Sequence, residues 1–523
     1  MYIAPNSKIY LLRNVPLDIT QEHTIYWATA AAQATYFASK AKYTYDAQSY
    51  QRANKGILRI SALADNLYDC NYLMFQNTSF GSKWFYAFIK SVTYINNAVT
   101  EVEYVLDELQ TWWFDYSFTD SFIVREHVTD DQIGDNLQPE NLELGEYVIK
   151  NRYIVDYSSD MSIIVAATFD TSYQKTPTTQ YSGLFSGLHF NAFPDTAQGR
   201  QDAAQFILGA GDQVSGIVAI FYAPTAFISN GPSPRYSYSH AMEFDTFGFY
   251  TPHNNKIYTW PYSFLQGTNL QGETHDYRFE RWFGNSFSFY VYGDFTPNAT
   301  VLLVPTDYKL DAAGNFENFD ERITLTGFPQ ISFATDSYRA WLASVASQPF
   351  GWLLDKVSDQ ATPWVGVAAS VVGGIATGLS TEIPGMGAVG NMATQIANLM
   401  GQKEKHLSDP NTGHGNGTTS TMAAIGKMYF QLHHKQITEE FARIIDRYWD
   451  LYGYASNRIG IPNLIARPHW SFIQTRGCQI TGSIPADAGR TITALWDKGI
   501  TVWRNASEVG NYSLDNRIPQ NSP

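Results

Sequence analysis

One glycine pattern in the sequence could hold a dinucleotide. Residues 385–390 read Gly-Met-Gly-Ala-Val-Gly and match the motif G-x-G-x-x-G. That motif binds a pyrophosphate where a strand precedes it and a helix begins on it. Here Pro384 comes directly before the motif, and the upstream apolar segment is interrupted by further glycines. We therefore interpret the match as a coincidence in a Gly/Ala-rich segment and predict no cofactor.

Two further candidates for chemistry have the wrong spacing. Residues 425–428 are similar to the end of a phosphate-binding loop, but Thr421 replaces the upstream glycine and Met428 replaces the Ser or Thr that would hold magnesium. His433 and His434 are adjacent, whereas two metal ligands on one helix face need a spacing of about three or four residues. The sequence thus predicts neither a phosphate site nor a metal site.

Carboxylates are concentrated between residues 129 and 147, where Asp130, Asp131, Glu140 and Glu143 lie. A glycosidase needs two carboxylates set several ångströms apart across a sugar, and no local pattern here points to such a pair. A nucleophile elbow of the type G-x-S-x-G is also missing from the sequence. We interpret residues 129–147 as a solvated acidic connector and predict no catalytic residues and no enzymatic activity.

The composition favours a β-rich, acidic protein. Of the 523 residues, 15% are aromatic and only 16% are charged, and the formal net charge is −14. Aromatic residues suit pleated, half-buried strands. Proteins that grip nucleic acid carry clusters of Lys and Arg, and this sequence has no such cluster. Cys70 and Cys478 are too few for a disulfide framework or a zinc site, so we predict buried free thiols.

Runs of aromatic and β-branched residues predict strands along most of the chain. Asn96 and Asn97 lie between two of these runs and predict a tight hairpin, since Asn tolerates a positive φ. The predicted strands are residues 56–63, 71–75, 83–95, 98–109, 163–169, 216–223, 286–293, 299–305, 478–484 and 499–505.

Two helices are predicted, one over residues 337–357 and one over residues 438–453. In the second, Thr438 stands at the N-cap, acidic residues fill the first turn, and Gly453 can end the helix. Its apolar stripe at helical spacing is Phe441, Ile444, Ile445, Tyr448, Leu451 and Tyr452.

The segment from 361 to 402 is apolar and carries a single charged residue, Glu382. A spanning helix needs about 20 apolar residues, and uncharged windows flank Glu382 on both sides, which suggests a helical hairpin that turns at 381–384. Its many glycines weaken a helix in water and suit close helix packing in lipid. Three interpretations remain: a loop that inserts into a membrane on demand, which we favour, a buried core hairpin, and a permanent transmembrane anchor.

Residues 72–128 closely resemble the distal tail knob protein of small short-tailed phages (podoviruses) that infect Gram-positive bacteria. The C-terminal part of the chain agrees, and the apolar segment 361–402 lies where that family carries its long hydrophobic loop. The stretches that carry the resemblance are residues 72–77, 83–88, 109–112, 114–115, 121–128, 497–503 and 510–513.

The resemblance implies a mainly β (α+β) fold with several β-barrel or sandwich domains, a few helices and a long hydrophobic loop. It implies a homo-hexameric tube at the tail tip of the virion, made in the host cytoplasm and attached to other tail proteins such as the lower collar or tail tube. Genome DNA would leave through the lumen without specific binding. The hydrophobic loops would plug the tube and then penetrate the host membrane. A receptor-binding adhesin and a cell-wall-degrading tail enzyme are the alternatives.

The chain is divided by this interpretation into four parts. Residues 1–128 form an N-terminal tube domain, and residues 129–335 form the middle β domains. Residues 336–429 hold a helix and the membrane-active loop, and residues 430–523 complete the tube domain. The residues expected to plug the tube or enter the membrane are Trp364, Val365, Val367, Val371, Val372, Ile375, Leu379, Ile383, Met386, Val389, Met392, Ile396, Leu399 and Met400.

The net charge adds one expectation about the lumen. An acidic lumen would repel the DNA backbone and let it slide without sticking.

Overall fold

The computed structural model describes most of the chain as a mainly β protein with a few helices, which confirms the predicted fold class. The described residues are 7–48, 56–78, 81–167, 179–185, 188–209, 217–228, 235–293, 299–309, 317–328 and 429–518.

The chain forms two compact units. Unit 1 contains residues 1–146, 245–262 and 437–523, and unit 2 contains residues 147–244 and 263–436. The chain therefore passes from one unit to the other four times. The four-part division given by the sequence stays a prediction.

The strands follow most of the predicted runs. In chain order they are β1 Ser7–Arg13, β2 His23–Ile25, β3 Ala41–Gln48, β4 Ile57–Ile60, β5 Cys70–Asn77, β6 Trp84–Asn96, β7 Val99–Leu106, β8 Tyr116–Phe118, β9 Ser121–Glu126, β10 Tyr147–Val155, β11 Met161–Ala167, β12 Thr179–Phe185, β13 Leu188–Pro194, β14 Ile217–Pro224, β15 Arg235–Ala241, β16 Ser263–Thr268, β17 Thr274–Tyr277, β18 Ser286–Tyr292, β19 Ala299–Thr306, β20 Ile323–Phe328, β21 Phe430–Ile437, β22 Tyr454–Gly460, β23 Trp470–Arg476, β24 Ile480–Gly482 and β25 Ile500–Trp503.

Five helices lie between the described strands. They are α1 Ala30–Ser39, α2 Glu108–Trp112, α3 Ala197–Gly209, α4 Glu439–Tyr452 and α5 Ala486–Lys498.

Unit 1 contains a six-stranded sheet, ordered β3-β1-β5-β6-β7-β4, that is buried on both faces. Successive side chains of a strand point to opposite faces. On β5, Leu73 enters one core cluster, while Tyr72 and Met74 enter the other. Phe37 of α1 stacks on Tyr72 with ring centroids 5.2 Å apart and covers the second face. The uninterrupted apolar run of β5 follows from this double burial, since neither of its faces meets water.

The predicted hairpin between β6 and β7 is confirmed, with its turn one residue further on. Asn96 pairs with Val99, so the two turn residues are Asn97 and Ala98. The Asn96 side chain accepts a hydrogen bond from the Ala98 amide at 2.9 Å. That bond is a local turn device typical of Asn.

A second sheet of unit 1, ordered β2-β25-β23-β9-β22, joins strands from both ends of the chain. The N-terminal strand β2 runs parallel to β25, with His23 opposite Thr501. The helix α5 buries Ile492 and Trp496 in one core cluster with Ile473 and Val502 of this sheet. The short strands β8 and β24 form a further two-stranded sheet.

Unit 2 contains three four-stranded sheets, ordered β10-β21-β16-β17, β12-β13-β11-β14 and β15-β18-β19-β20. The strand β18, predicted at residues 286–293, alternates between its two faces, because Phe287, Phe289 and Val291 are buried and the residues between them are partly exposed. These three side chains share a core cluster with Val301 and Leu303 of the neighbouring strand.

The predicted helix at 438–453 is confirmed as α4, but its buried face differs from the predicted stripe. Ile444 is 58% exposed, whereas the charged Asp446 is fully buried beside Ile445 and Trp449. Thr438 occupies the N-cap, yet its side chain makes no capping hydrogen bond.

Three further expectations can be compared with the described residues. Cys70 and Cys478 are both free and buried, as predicted. His433 and His434 lie on strand β21, where neighbours diverge, and His434 is buried with its Nε2 atom 2.9 Å from the Ser263 hydroxyl. The predicted helix 337–357 and the apolar segment 361–402 lie outside the described residues. Within the described ranges, no helix has both the length and the apolar character that crossing a bilayer requires.

We predict that Gly453→Ala destabilises unit 1 far more than Gly477→Ala. Both glycines have a positive φ, near +65°, which costs a residue with a Cβ roughly 1–2 kcal/mol. A Cβ at Gly453 would also overlap the backbone of Glu126 and His127, whereas a Cβ at Gly477 would meet no atom within 4 Å. Thermal unfolding followed by circular dichroism measures the difference, and equal melting temperatures for the two variants would contradict this packing argument.

Candidate functional site

The residues predicted to enter a membrane, between 364 and 400, all lie outside the described residues. Their interaction with a membrane stays a prediction. The described part of the chain instead concentrates buried charge in unit 1, in a group of side chains that we call the polar clamp. The clamp comprises Asp131, Glu140, His253, Asn254, Asn255, Lys256, Asp446, Asp450 and Tyr454.

The polar clamp draws on three segments of unit 1 that are far apart in sequence. The first, residues 129–146, ends where the chain leaves for unit 2, and the second, residues 245–262, is the stretch between two excursions into unit 2. The third is α4 with Tyr454 at the start of β22, and it follows the last return to unit 1. A buried charge or polar group is costly unless it is paired. Separating these segments would leave buried donors and acceptors without partners, so their hydrogen bonds hold the segments together.

Asp446 is the centre of the clamp and is fully buried. Its carboxylate accepts hydrogen bonds from the Tyr250 hydroxyl at 2.6 Å and the His253 amide at 2.7 Å. The backbone and side-chain nitrogens of Asn254 donate to it at 3.0 and 2.9 Å. Burial raises the pKa of Asp446, although these donors oppose the rise. One side chain of α4 thus holds the Tyr250 hydroxyl and the backbone amides of His253 and Asn254.

Asp450 lies one turn further along α4 and continues the same contact. It accepts from Asn254 Nδ2 at 2.9 Å and lies 2.9 Å from His253 Nδ1. The hydrogen bond to Asp450 raises the pKa of His253. Spacing of i and i+4 places both carboxylates on one face of the helix.

His253, Asp446 and Asp450 offer three atoms within 4.8 Å of one another, which is close enough to surround a metal ion. The carboxylate oxygens are already occupied by hydrogen bonds from Tyr250, His253 and Asn254. A cation would have to displace these donors from a backbone turn. We therefore interpret the three residues as a structural part of the clamp.

Asp131 ties the first segment to the second. Its carboxylate accepts from the Tyr454 hydroxyl at 2.8 Å and from the Asn255 amide at 2.7 Å. Its backbone carbonyl accepts from Asn255 Nδ2 at 2.8 Å. Burial raises the pKa of Asp131.

Glu140 makes the ion pairs of the clamp, with its side chain shielded from solvent. It pairs with Lys256 Nζ at 2.7 Å and with the guanidinium of Arg125. It also accepts from Trp449 Nε1 at 3.0 Å. Burial lowers the pKa of Lys256, and the charge of Glu140 opposes that shift.

The prediction of a solvated acidic connector is therefore wrong for Asp131 and Glu140. Asn136 donates to Asp131 at 3.5 Å and Arg125 of β9 pairs with Glu140, but the other partners of both residues lie more than 100 positions away. No spacing rule within residues 129–147 could reveal them. Asp446 lies outside the predicted apolar stripe of α4, so the helical pattern also gave no signal for its burial.

A comparison with known families bears on the function of this fold. The family described as "Bacillus phage phi29, Tail knob protein gp9, C-terminal domain" matches residues 226–517, which is more than half of the chain. The chain belongs to this tail knob protein family. A second family, described as "Caudoviral major tail protein N-terminus", matches residues 5–117. The resemblance inferred from the sequence is confirmed, and the protein is a structural component of the phage tail.

Individual tail knob proteins match over their whole length. Tail knob protein gp9 of Bacillus phage phi29 is 25% identical over 98% of this chain and 98% of its own. Those of Bacillus phages PZA and B103 are 25% and 23% identical with the same coverage. The solved structure of the bacteriophage C1 tail knob protein gp12 has a TM-score of 0.63 and 14% identity, and covers 98% of this chain and 99% of that one. That likeness shows a shared tail knob fold.

We predict that Asp446→Asn destabilises unit 1 by about 1–3 kcal/mol, because the new amide group turns its own donors toward buried donors that need an acceptor. Glu440→Gln is the matched control on the same helix, since Glu440 is exposed and such surface changes have little effect. Thermal or urea unfolding measures both variants. An equal loss of unfolding free energy in Glu440→Gln would show that the buried hydrogen bonds of Asp446 add no stability beyond that of a surface residue.

Proposed function

We propose that this tail knob protein forms a hexameric distal tube that conducts the genome during ejection. In this proposal residues 361–402 plug the tube before infection and penetrate the host membrane afterwards. The observation that carries the proposal is a long apolar segment with one charge, Glu382, inside a protein of the tail knob family.

The composition of residues 361–402 suits a segment that moves between two environments, the lumen of the tube and the membrane. Its apolar side chains are favourably transferred out of water into either a crowded lumen or lipid. Its glycines reduce helix stability in water and allow close helix packing in a membrane. A segment of this kind suits release on demand better than permanent anchoring.

Assembly into a closed ring supports the same proposal. A large exposed apolar patch on a monomer is an interaction site or an aggregation hazard. Six copies related by rotation would place their segments together in one lumen and shield them from water. Other tail proteins, such as the lower collar or tail tube, would bind the ring, and the host membrane would receive the released segments.

The net charge of −14 supports passage of DNA without binding. A lumen with excess Asp and Glu would repel phosphates and keep the duplex mobile. We therefore expect no sequence-specific contact with the genome and no enzymatic role, in agreement with relatives that are named tail knob proteins.

The polar clamp supports a scaffold role for unit 1. It fastens the chain just before unit 2 begins, between the two parts of unit 2, and just after unit 2 ends. The segment 361–402 lies in the sequence of the second part of unit 2.

The membrane role is tested by dye release from liposomes across a range of pH. We expect release by the wild-type protein and none by a double variant Ile375→Asp with Leu379→Asp, because two buried carboxylates in lipid are costly. The control is Ile459→Asp, which places the same charge at a side chain that is already 74% exposed. Release by all three proteins, or by none while electron microscopy shows intact rings, would reject penetration by this segment.

Two alternatives have their own readouts. A zymogram on host cell walls would show clearing if the protein were a wall hydrolase. An adhesin would bind cells equally well with and without residues 361–402, and would need no ring. Electron microscopy that shows no six-fold particle would reject the tube itself.

A further inference from the structure

His127 follows strand β9 and takes over the role of a backbone group in the sheet. Its amide donates to the Phe472 carbonyl at 3.2 Å. In return, the Phe472 amide donates to the imidazole Nδ1 atom at 2.7 Å. The ring therefore replaces the carbonyl that would continue the ladder between β9 and β23.

The same ring also holds the end of helix α4. Its Nε2 atom lies 3.2 Å from the Asp450 carbonyl. Because Nδ1 accepts from an amide, the ring proton must lie on Nε2, which then donates to Asp450. The neutral imidazole thus uses one acceptor and one donor, and both nitrogens are occupied.

The His127 ring is enclosed by neighbouring groups that fix its position and its hydrogen bonds. His127 is 1% exposed. Gly453, which ends α4, packs directly on the backbone of Glu126 and His127. The Trp470 indole donates to the same Asp450 carbonyl at 3.0 Å. A second proton on the ring would point from Nδ1 at the Phe472 amide, which is itself a donor.

The charged groups around His127 oppose that second proton. Burial lowers its pKa most, and the guanidiniums of Arg467 and Arg125 lower it further. The carbonyls of Trp449 and Asp450, at the negative end of the α4 dipole, act in the opposite direction but are outweighed. The result is a pKa near 3 in the folded protein.

We propose that His127 is an acid-sensitive latch that joins the C-terminal end of α4 to strand β23 and opens as the pH falls. In the closed state the ring stays neutral. An opened ring meets water and takes up a proton, and the protonated ring no longer fits between the Phe472 amide and its other neighbours. The proposal goes beyond the function above, since it concerns unit 1 and holds whether or not residues 361–402 enter a membrane.

The sign and the range of the effect follow from proton linkage. The closed state binds fewer protons than the opened state between about pH 6.5 and pH 3, so acid favours opening within that range. Each pH unit below about 6.5 raises the opening equilibrium about tenfold. The raised pKa values of Asp107, Asp131 and Asp446 act with the opposite sign, so the contribution of His127 must be isolated by substitution.

The test compares amide hydrogen exchange of the full-length wild type and His127→Asn at pH 6.5 and 4.5, corrected for the intrinsic pH dependence of exchange. Asn keeps an acceptor for the Phe472 amide but cannot titrate. We expect protection of α4 and β23 to fall about 50-fold more between the two pH values in the wild type than in the variant. His253→Asn is the control, because His253 also contacts Asp450 but has a raised pKa. It should keep the acid response of the wild type or steepen it.

An equal acid response in wild type and His127→Asn would overturn the latch. A second measurement on the wild type covers the case in which the variant does not fold. Exchange of the imidazole C2 proton, followed by mass spectrometry, reports the titration of each histidine. We expect His127 to exchange slowly and to show no titration between pH 5 and 8. A titration of His127 near pH 6.5 would overturn the proposal.

Discussion

Unit 1 depends on a single constraint: a carboxylate removed from water must be surrounded by donors. Asp446 and Glu140 are both shielded from solvent, and their donors come from residues 245–262 and from β9. The position of α4 is therefore set by where those donors lie as well as by apolar packing. Because the segments that supply them adjoin the passages to unit 2, the clamp also fixes where the chain leaves unit 1 and where it returns.

The clamp gives unit 1 directional contacts that an apolar core lacks. Apolar burial is roughly proportional to area and tolerates small shifts, whereas a hydrogen bond weakens steeply with angle and distance. Asn254 illustrates the point, because its amide bridges Asp446 and Asp450 at 2.9 Å each. A shift of α4 by one residue would leave several buried groups without partners. Such directional contacts favour a single position of α4 within unit 1.

The β-sheets contribute the apolar part of the stability of unit 1. The six-stranded sheet is covered on both faces, with Leu73 and Tyr72 of one strand entering opposite clusters. Double burial explains why the chain needs so many aromatic residues and so few charges.

The sequence by itself determined the β-rich class, the hairpin at Asn96, the helix α4 and the family, because each depends on local periodicity, turn chemistry or a linear motif. It also indicated the apolar segment 361–402. Only the tertiary structure decided that the side chains of Asp131 and Glu140 are buried. It also decided that Ile444 is exposed while Asp446 is buried, and that the His127 ring completes a sheet. Most of these contacts join residues more than 100 positions apart in sequence, and contacts of that kind produce no local pattern along the chain.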